Sequence, residues 1–264
     1  LEFKCTKKYG YYNNINDNWY KNIFTLSLMN QTISRESVQR LLKDIKNIIQ
    51  NPLTSNGIYY THDNTDMLKG YALIVGSYET PYFGGFYFFK FDYPTDYPHT
   101  PPKVTYCTNG DGIRFNPNLY KCGKVCISLL NTWSGEQWTS CQSISTVLLT
   151  LCTLLCKDPL LNEPGVIKTH PDFSKYIKII EYKNIEIAIM QIFEKKNGVF
   201  YEEFEIFYPF VIEHFLKNKD KIIEFLESRA QDDSLKETLC TSLYSMQVAI
   251  NYPKLLENFK TLKI

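Results

Sequence analysis

The chain has 264 residues, 44% of them hydrophobic, and a formal net charge of +1, enough apolar material for one large domain or a core with an appendage. Near-zero charge removes the usual electrostatic basis for non-specific binding to nucleic acid or an anionic membrane surface, and no apolar run approaches the ~18 residues of a membrane span. The opening LEFKCTKKYGYYNNINDN contains no apolar stretch of the kind a signal peptide needs, so the expected location is cytoplasmic or nuclear.

Residues 1–32 have no clear period and read as an N-terminal extension. Ser34 can cap a helix in which Val38, Leu41, Leu42, Ile45, Ile48 and Ile49 share one face. Arg40, Lys43 and Asn47 fall opposite, and Asn51-Pro52 ends the helix. Strands are predicted over 71–75, 86–93 and 103–108, the second almost wholly aromatic and broken by Lys90 and Asp92. A turn at 80–85 and a proline-rich segment at 93–102 separate them. An irregular loop occupies 109–123. A second helix is predicted over 142–156, with Ile144, Val147, Leu148, Leu151 and Leu155 as its core stripe and Asp158-Pro159 as its stop. Further helical patterns cover 176–194, 201–216, 219–228 and 235–250, with Pro209 interrupting the second. The order helix, antiparallel strands, irregular loop, helices predicts an α+β domain with a helical tail. The aromatic run Phe200, Phe204, Phe207, Tyr208, Phe210 and Phe215 reads as the surface by which that tail packs onto the domain.

Eight cysteines in a chain of this size do not suggest a disulfide framework. Cys122 and Cys126, like Cys152 and Cys156, are separated by three residues, and His62, His99, His170 and His214 are scattered. This is not zinc-ligand spacing, so no metal and no cofactor is expected, and most of these thiols read as small buried hydrophobes.

The chemistry lies in FDYPTDYPHTPPKVTYCTNGDGIRFNPNLYKCGKVCISLL, residues 91–130. Pro94, Pro98, Pro101 and Pro102 make a rigid extended segment. Asn116-Pro117-Asn118 is a tight turn, Gly123 frees the backbone ahead of Cys126, and Ile127, Leu129 and Leu130 tie the thiol to the core. Cys126 thus stands on a rigid, irregular loop beside amide side chains, with no histidine near it in sequence except His99. A cysteine without a dedicated base suits thioester exchange, which is nearly isoenergetic, better than hydrolysis. Attack by an amine on such a thioester develops an oxyanion, and an amide donor such as Asn118 can stabilise it by about 3–4 kcal/mol.

From about residue 34 to 194 the sequence resembles the ubiquitin-conjugating enzyme family. The likeness is carried by the basic first helix, by Pro81-Tyr82-Phe83-Gly84-Gly85, by Tyr-Pro-Thr-Asp-Tyr-Pro-His-Thr-Pro-Pro at 93–102, and by Asn116-Pro117-Asn118 ahead of Gly123-Lys124-Val125-Cys126. The resemblance implies the family's α+β fold: an N-terminal helix, a four-stranded antiparallel sheet and C-terminal helices. Thr132-Trp133, Trp138, Gln142-Ser143-Ile144 and Asn162-Glu163-Pro164-Gly165 are similar to a subgroup with a long C-terminal helical extension. The best-known member of that subgroup pairs with the non-standard ubiquitin-activating enzyme and also accepts a diubiquitin-like modifier. The implied organisation is an extension (1–32), a conjugating core (33–195) and a helical C-terminal extension (196–264).

The match implies roles residue by residue. Cys126 falls at the thioester cysteine, Asn118 at the loop-shaping and oxyanion-stabilising asparagine, and Glu163 where many members have an aspartate that orients the incoming lysine. Arg35, Arg40 and Lys43 would dock the activating enzyme. Tyr87, Pro98 and the Thr139-Ser140-Cys141 loop lie where ligases bind. Asn116 stands where the family has histidine, as in the long-extension subgroup, and Thr139-Ser140-Cys141 replaces the Ser-Pro-Ala of many members. The implied partners are ubiquitin or a ubiquitin-like protein, an activating enzyme and a ligase.

Blander readings stand beside these. Cys126 alone would be a buried structural cysteine, Asn118 a turn residue, Glu163 a solvated acid after a helix end, and the basic helix face an ordinary solvated face. Cys122 reads as an incidental loop thiol, and Trp133 and Trp138 as loop-packing aromatics. The competing functions are a non-catalytic family variant that binds ubiquitin as an adaptor and an unrelated cysteine hydrolase.

Overall fold

A computed structural model describes residues 33–195, 201–231 and 237–263; the extension read at 1–32 lies outside them. Helix α1 (Arg35–Gln50) starts where Ser34 accepts the Ser37 N–H at 3.0 Å and ends at Asn51, as the local sequence dictates. Its apolar stripe of Val38, Leu41, Ile45 and Ile48 is buried. Four strands follow as an antiparallel meander in the order β1 (Ile58–His62), β2 (Lys69–Val75), β3 (Phe86–Asp92) and β4 (Lys103–Tyr106). Phe88 pairs with Leu73, and Phe89 pairs with Ala72 on one side and Tyr106 on the other. Six of the seven β3 residues are buried or half-buried on both faces, which explains its near-continuous aromatic run: the sheet is covered on both sides.

Helix α2 (Ile144–Leu154) is capped by Ser143 and buries Ile144, Val147, Leu148, Leu151 and Leu154, and it contacts α1. Helix α3 (Phe173–Lys183) continues through a π-helical stretch (Asn184–Met190) into a last turn (Gln191–Phe193). Insertions of this kind mark places where the helix register is reset for a side-chain contact. Here Asn184 is buried, accepts from the Tyr87 hydroxyl at 2.6 Å and donates to the Phe83 carbonyl at 2.9 Å.

Beyond residue 200 a 3₁₀ turn (Glu202–Phe207) leads into α4 (Tyr208–Ala230), one helix where the sequence suggested two. Pro209 does not interrupt it: proline sits in the first turn, where its missing N–H has no intrahelical partner to lose. Phe204 stacks on Phe88 with centroids 4.6 Å apart and meets Tyr71 edge-on, while Phe210 stacks on Tyr59 at 4.4 Å. The aromatic run therefore packs the C-terminal segment onto the outer sheet face, and its buried members join one hydrophobic cluster with the core. Phe200 lies outside the described residues.

Of the helix expected over 235–250, residues 237–250 are described, and they do not form one. Strands β5 (Thr238–Cys240) and β6 (Gln247–Ala249) pair instead as an antiparallel hairpin, followed by α5 (Tyr252–Lys260), which packs on α4 through Phe215 and Phe259. Leu239, Met246, Val248 and Ile250 are buried; those spacings fit a helix stripe in part, and it is pairing Leu239 with Val248 that satisfies them together.

Candidate active site

The loop between β4 and α2 is irregular but tightly bonded. Gly123 adopts φ 88°, and a Cβ there would stand 3.0 Å from the Tyr106 carbonyl oxygen, so a glycine is needed at this close approach. The turn at Asn116 is closed by the Leu119 N–H donating to the Asn116 carbonyl at 3.0 Å. Isolated bridges tie Leu119 to Val125 and Thr105 to Lys124.

Cys126 and Asn118 clasp each other twice. The Cys126 N–H donates to the Asn118 carbonyl at 2.8 Å, and Asn118 Nδ2 donates to the Cys126 carbonyl at 2.6 Å. Asn118 is set in turn by Asn116, whose Oδ1 accepts the Asn118 N–H at 2.9 Å. Asn116 is fully buried and donates to the Leu154 carbonyl at 2.8 Å and the Tyr82 hydroxyl at 3.3 Å. An amide at this position thus braces the loop from the end of α2. Asn162 Nδ2 reaches Asn116 Oδ1 at 3.5 Å, which brings the segment carrying Glu163 against the same turn.

The Cys126 thiol donates to the Thr132 carbonyl at 2.8 Å, and the residue is only 3% exposed. Thr132 is itself anchored: its hydroxyl accepts the Ile127 N–H at 2.9 Å and lies 3.0 Å from the Val125 and Ile127 carbonyls. A cleft of about 650 Å³ is lined by Thr100, Pro102, Lys103, Thr105, Lys124 and Thr132 among others. Cys122 is exposed, while burial pushes the Cys107 thiol up to about 12 and raises those of Cys152 and Cys156. Among the described residues, no cluster of three His, Cys, Asp or Glu side chains is arranged to hold a metal, and no helix is long and apolar enough to cross a membrane.

The docking residues divide. Arg35 and Lys43 are exposed on α1. Arg40 is engaged within the chain, paired with the buried Asp44 at 3.2 Å and donating to the Ser140 and Gln142 carbonyls. Tyr87 is 0% exposed, with its hydroxyl bonded to Asn184; no ligase can touch it in this fold, because its position on β3 points into the core. The other residues expected on that face do converge. Pro98 accepts at its carbonyl from Trp138 Nε1 at 2.7 Å and from the Ser140 hydroxyl at 3.3 Å, leaving Thr139, Ser140 and Cys141 exposed around it. His99 is exposed beside Ser140 on this same face, which Tyr87 does not reach. Trp138 is buried as a packing residue; Trp133 is 45% exposed.

A helix, a four-stranded antiparallel meander, an irregular loop presenting a cysteine clasped to an asparagine, and terminal helices define the α+β ubiquitin-conjugating fold. The sequence profile of the ubiquitin-conjugating enzyme family matches residues 40–184. Ubiquitin-conjugating enzyme E2 Z of Homo sapiens is 41% identical over 181 residues, covering 65% of this chain and 51% of that protein. The E2 Z of Danio rerio is 41% identical over 170 residues, covering 63% and 51%. Probable ubiquitin-conjugating enzyme protein 17 of Caenorhabditis elegans is 35% identical over 218 residues, covering 77% and 30%. The chain belongs to the ubiquitin-conjugating enzyme family, and it spans about half the length of the E2 Z proteins it matches.

Proposed function

We propose that Cys126 accepts ubiquitin or a ubiquitin-like protein from an activating enzyme as a thioester and passes it to a substrate lysine. The observation that carries this reading is the double clasp between Cys126 and Asn118. It fixes an amide donor against the carbonyl of the reacting cysteine. One Nδ2 hydrogen is engaged there, and the second is left to serve the oxyanion that forms when the thioester is attacked.

In the first step the Cys126 sulfur attacks the carbonyl carbon of the activating enzyme's thioester, and that enzyme's thiol leaves. The contact to Thr132 must open for this, since the sulfur is covered. The cleft that Thr132 helps to line suits the extended tail of the modifier. Arg35 and Lys43 supply the cationic face for the activating enzyme, and Pro98, Thr139, Ser140 and Cys141 the face for a ligase. In the second step a lysine amine attacks, with Glu163 orienting it. The likeness to E2 Z supports a preference for the non-standard activating enzyme, and residues 33–195 and 196–264 serve as conjugating core and extension.

Incubation with ATP, ubiquitin and each activating enzyme tests this. A reductant-sensitive adduct is expected, converted to a reductant-stable ester by Cys126→Ser and abolished by Cys126→Ala. Normal charging of Cys126→Ala would falsify the assignment.

A further inference from the structure

The turn of the C-terminal hairpin sits against the residues assigned to amine transfer. Between β5 and β6, Tyr244 (φ 62°, ψ 2°) and Ser245 (φ 48°) both adopt left-handed backbone. Neither is a residue type that tolerates that region well, and such strain persists only where surrounding contacts over-determine it. Here they do. Asp172 accepts from the Ser242 hydroxyl at 2.6 Å and the Leu243 N–H at 2.8 Å. Burial alone would raise the Asp172 carboxyl, but these bonds hold it below the usual range. Lys121 Nζ donates to the Tyr244 carbonyl at 2.9 Å, and the Arg114 N–H reaches Met246 Sδ at 3.4 Å.

The strained residue is aimed at the site. The Tyr244 hydroxyl donates to Glu163 Oε2 at 2.5 Å, across 81 residues of chain. Its ring lies 5.0 Å from the Arg114 guanidinium, which also stacks on Tyr120 at 3.3 Å and donates to the Asn116 and Pro117 carbonyls at 3.1 and 2.5 Å. One arginine therefore links the hairpin turn to the turn that sets Asn118. Burial and the bond to Glu163 push the Tyr244 phenol well above its ordinary range, so it remains a donor at neutral pH.

We infer that Tyr244 is a positioning residue for Glu163, and that the C-terminal hairpin forms part of the acceptor side of the active site. This rests on the role proposed above for Glu163. With Oε2 held by Tyr244, Oε1 is left to accept from the incoming amine. The nitrogen forms the new C–N bond, the C–S bond to Cys126 breaks with its electron pair on sulfur, and the proton shed by nitrogen passes by way of Oε1 to water.

The test uses the full chain charged with ubiquitin, after ATP is removed, and compares discharge to free lysine with discharge to hydroxylamine. Hydroxylamine is a strong nucleophile that is largely unprotonated at neutral pH and needs little orientation. Tyr244→Phe keeps the ring and removes only the donor. We expect the ratio of lysine to hydroxylamine discharge to fall about fivefold in Tyr244→Phe, on the maximal rate and not the half-saturating lysine concentration. It should fall further in Glu163→Ala, and the double variant should match Glu163→Ala alone. If Glu163→Ala lowers the ratio while Tyr244→Phe does not, or Tyr244→Phe lowers it equally in the Glu163→Ala background, the positioning role is wrong and that of Glu163 stands. If Glu163→Ala leaves the ratio intact, the role of Glu163 is wrong and the inference goes with it.

Discussion

Asn118 carries two demands on one side chain. Its Nδ2 holds the Cys126 carbonyl at 2.6 Å, while its Oδ1 is buried with no hydrogen-bond partner among the described residues. An orphaned buried acceptor costs about 1–3 kcal/mol, which is a reason to ask what else the same side chain does. Asn118→Ala should slow discharge to lysine roughly 100-fold, the scale of a lost oxyanion donor, and slow charging much less, because thioester exchange starts from the more reactive nucleophile. Single-turnover discharge set against charging decides it; equal losses in both steps would make Asn118 a loop brace alone. His62 gives a second prediction from a single side chain. It is fully enclosed, its Nε2 donates to the Met67 carbonyl at 2.8 Å, and burial lowers its pKa to about 4. Above pH 6.5 the imidazole is neutral in both folded and unfolded chains. As pH falls from 6.5 to 4 only the unfolded chain takes up the proton, so stability drops by up to about 3 kcal/mol across that window. Denaturant titrations at pH 7 and pH 4.5 should therefore differ more for the parent than for His62→Gln, and parallel slopes would count against it.

At the scale of elements, α1 serves two ends with neighbouring cations. Arg40 ties α1 to the 140–142 loop and neutralises Asp44, which also accepts from the Tyr97 hydroxyl at 2.5 Å. Arg40→Ala leaves that carboxylate buried without its cation, and we expect a loss of about 3 kcal/mol in unfolding free energy. Charge reversal at the exposed Arg35 and Lys43 should instead leave the melting temperature within a degree or two and slow charging about tenfold at low salt, with the difference shrinking as salt is added. Stability loss in the second pair, or none in the first, would overturn this division. What the sequence made legible among the elements follows the range of the forces involved. The Ser34 cap, the Asn51-Pro52 stop and the α2 stripe are local, and the structure has them where the residues put them. Strand β1 was not singled out, because five residues reading IYYTH give no alternation and become a strand only by pairing with β2. The 238–249 hairpin was mistaken for a helix for the same reason. At the site, Cys126, Asn116 and Asn118 lie within a dozen residues and could be read as a motif. The engagement of Arg40 and the burial of Tyr87 depend on partners about 100 residues away and leave no local signal, and Tyr244 leaves none either, since its bond to Glu163 exists only once the hairpin has folded back.

On the scale of the whole molecule, the C-terminal segment does two separable things. Through Phe204 on Phe88 and Phe210 on Tyr59 it covers the outer face of the sheet, and through the 238–249 hairpin it reaches Glu163. The first contact is apolar and large, so truncating the fully buried Phe204 to alanine should cost about 3–5 kcal/mol. The second is one polar bond at a half-buried carboxylate and adds little to stability. Cutting the chain after residue 195 removes both at once and uncovers a wide aromatic surface, so such a fragment should aggregate and bind hydrophobic dyes, and its loss of transfer would say nothing of the hairpin. Point variants resolve the two. Phe204→Ala should lower the melting temperature by several degrees while keeping the parental ratio of lysine to hydroxylamine discharge below its melting range, and Tyr244→Phe should do the reverse. If Phe204→Ala changed that ratio as much as Tyr244→Phe does, the sheet cover and the active-site contact would be one coupled unit, and the C-terminal segment would act on transfer through the stability of the fold and not through the hydroxyl it delivers to Glu163.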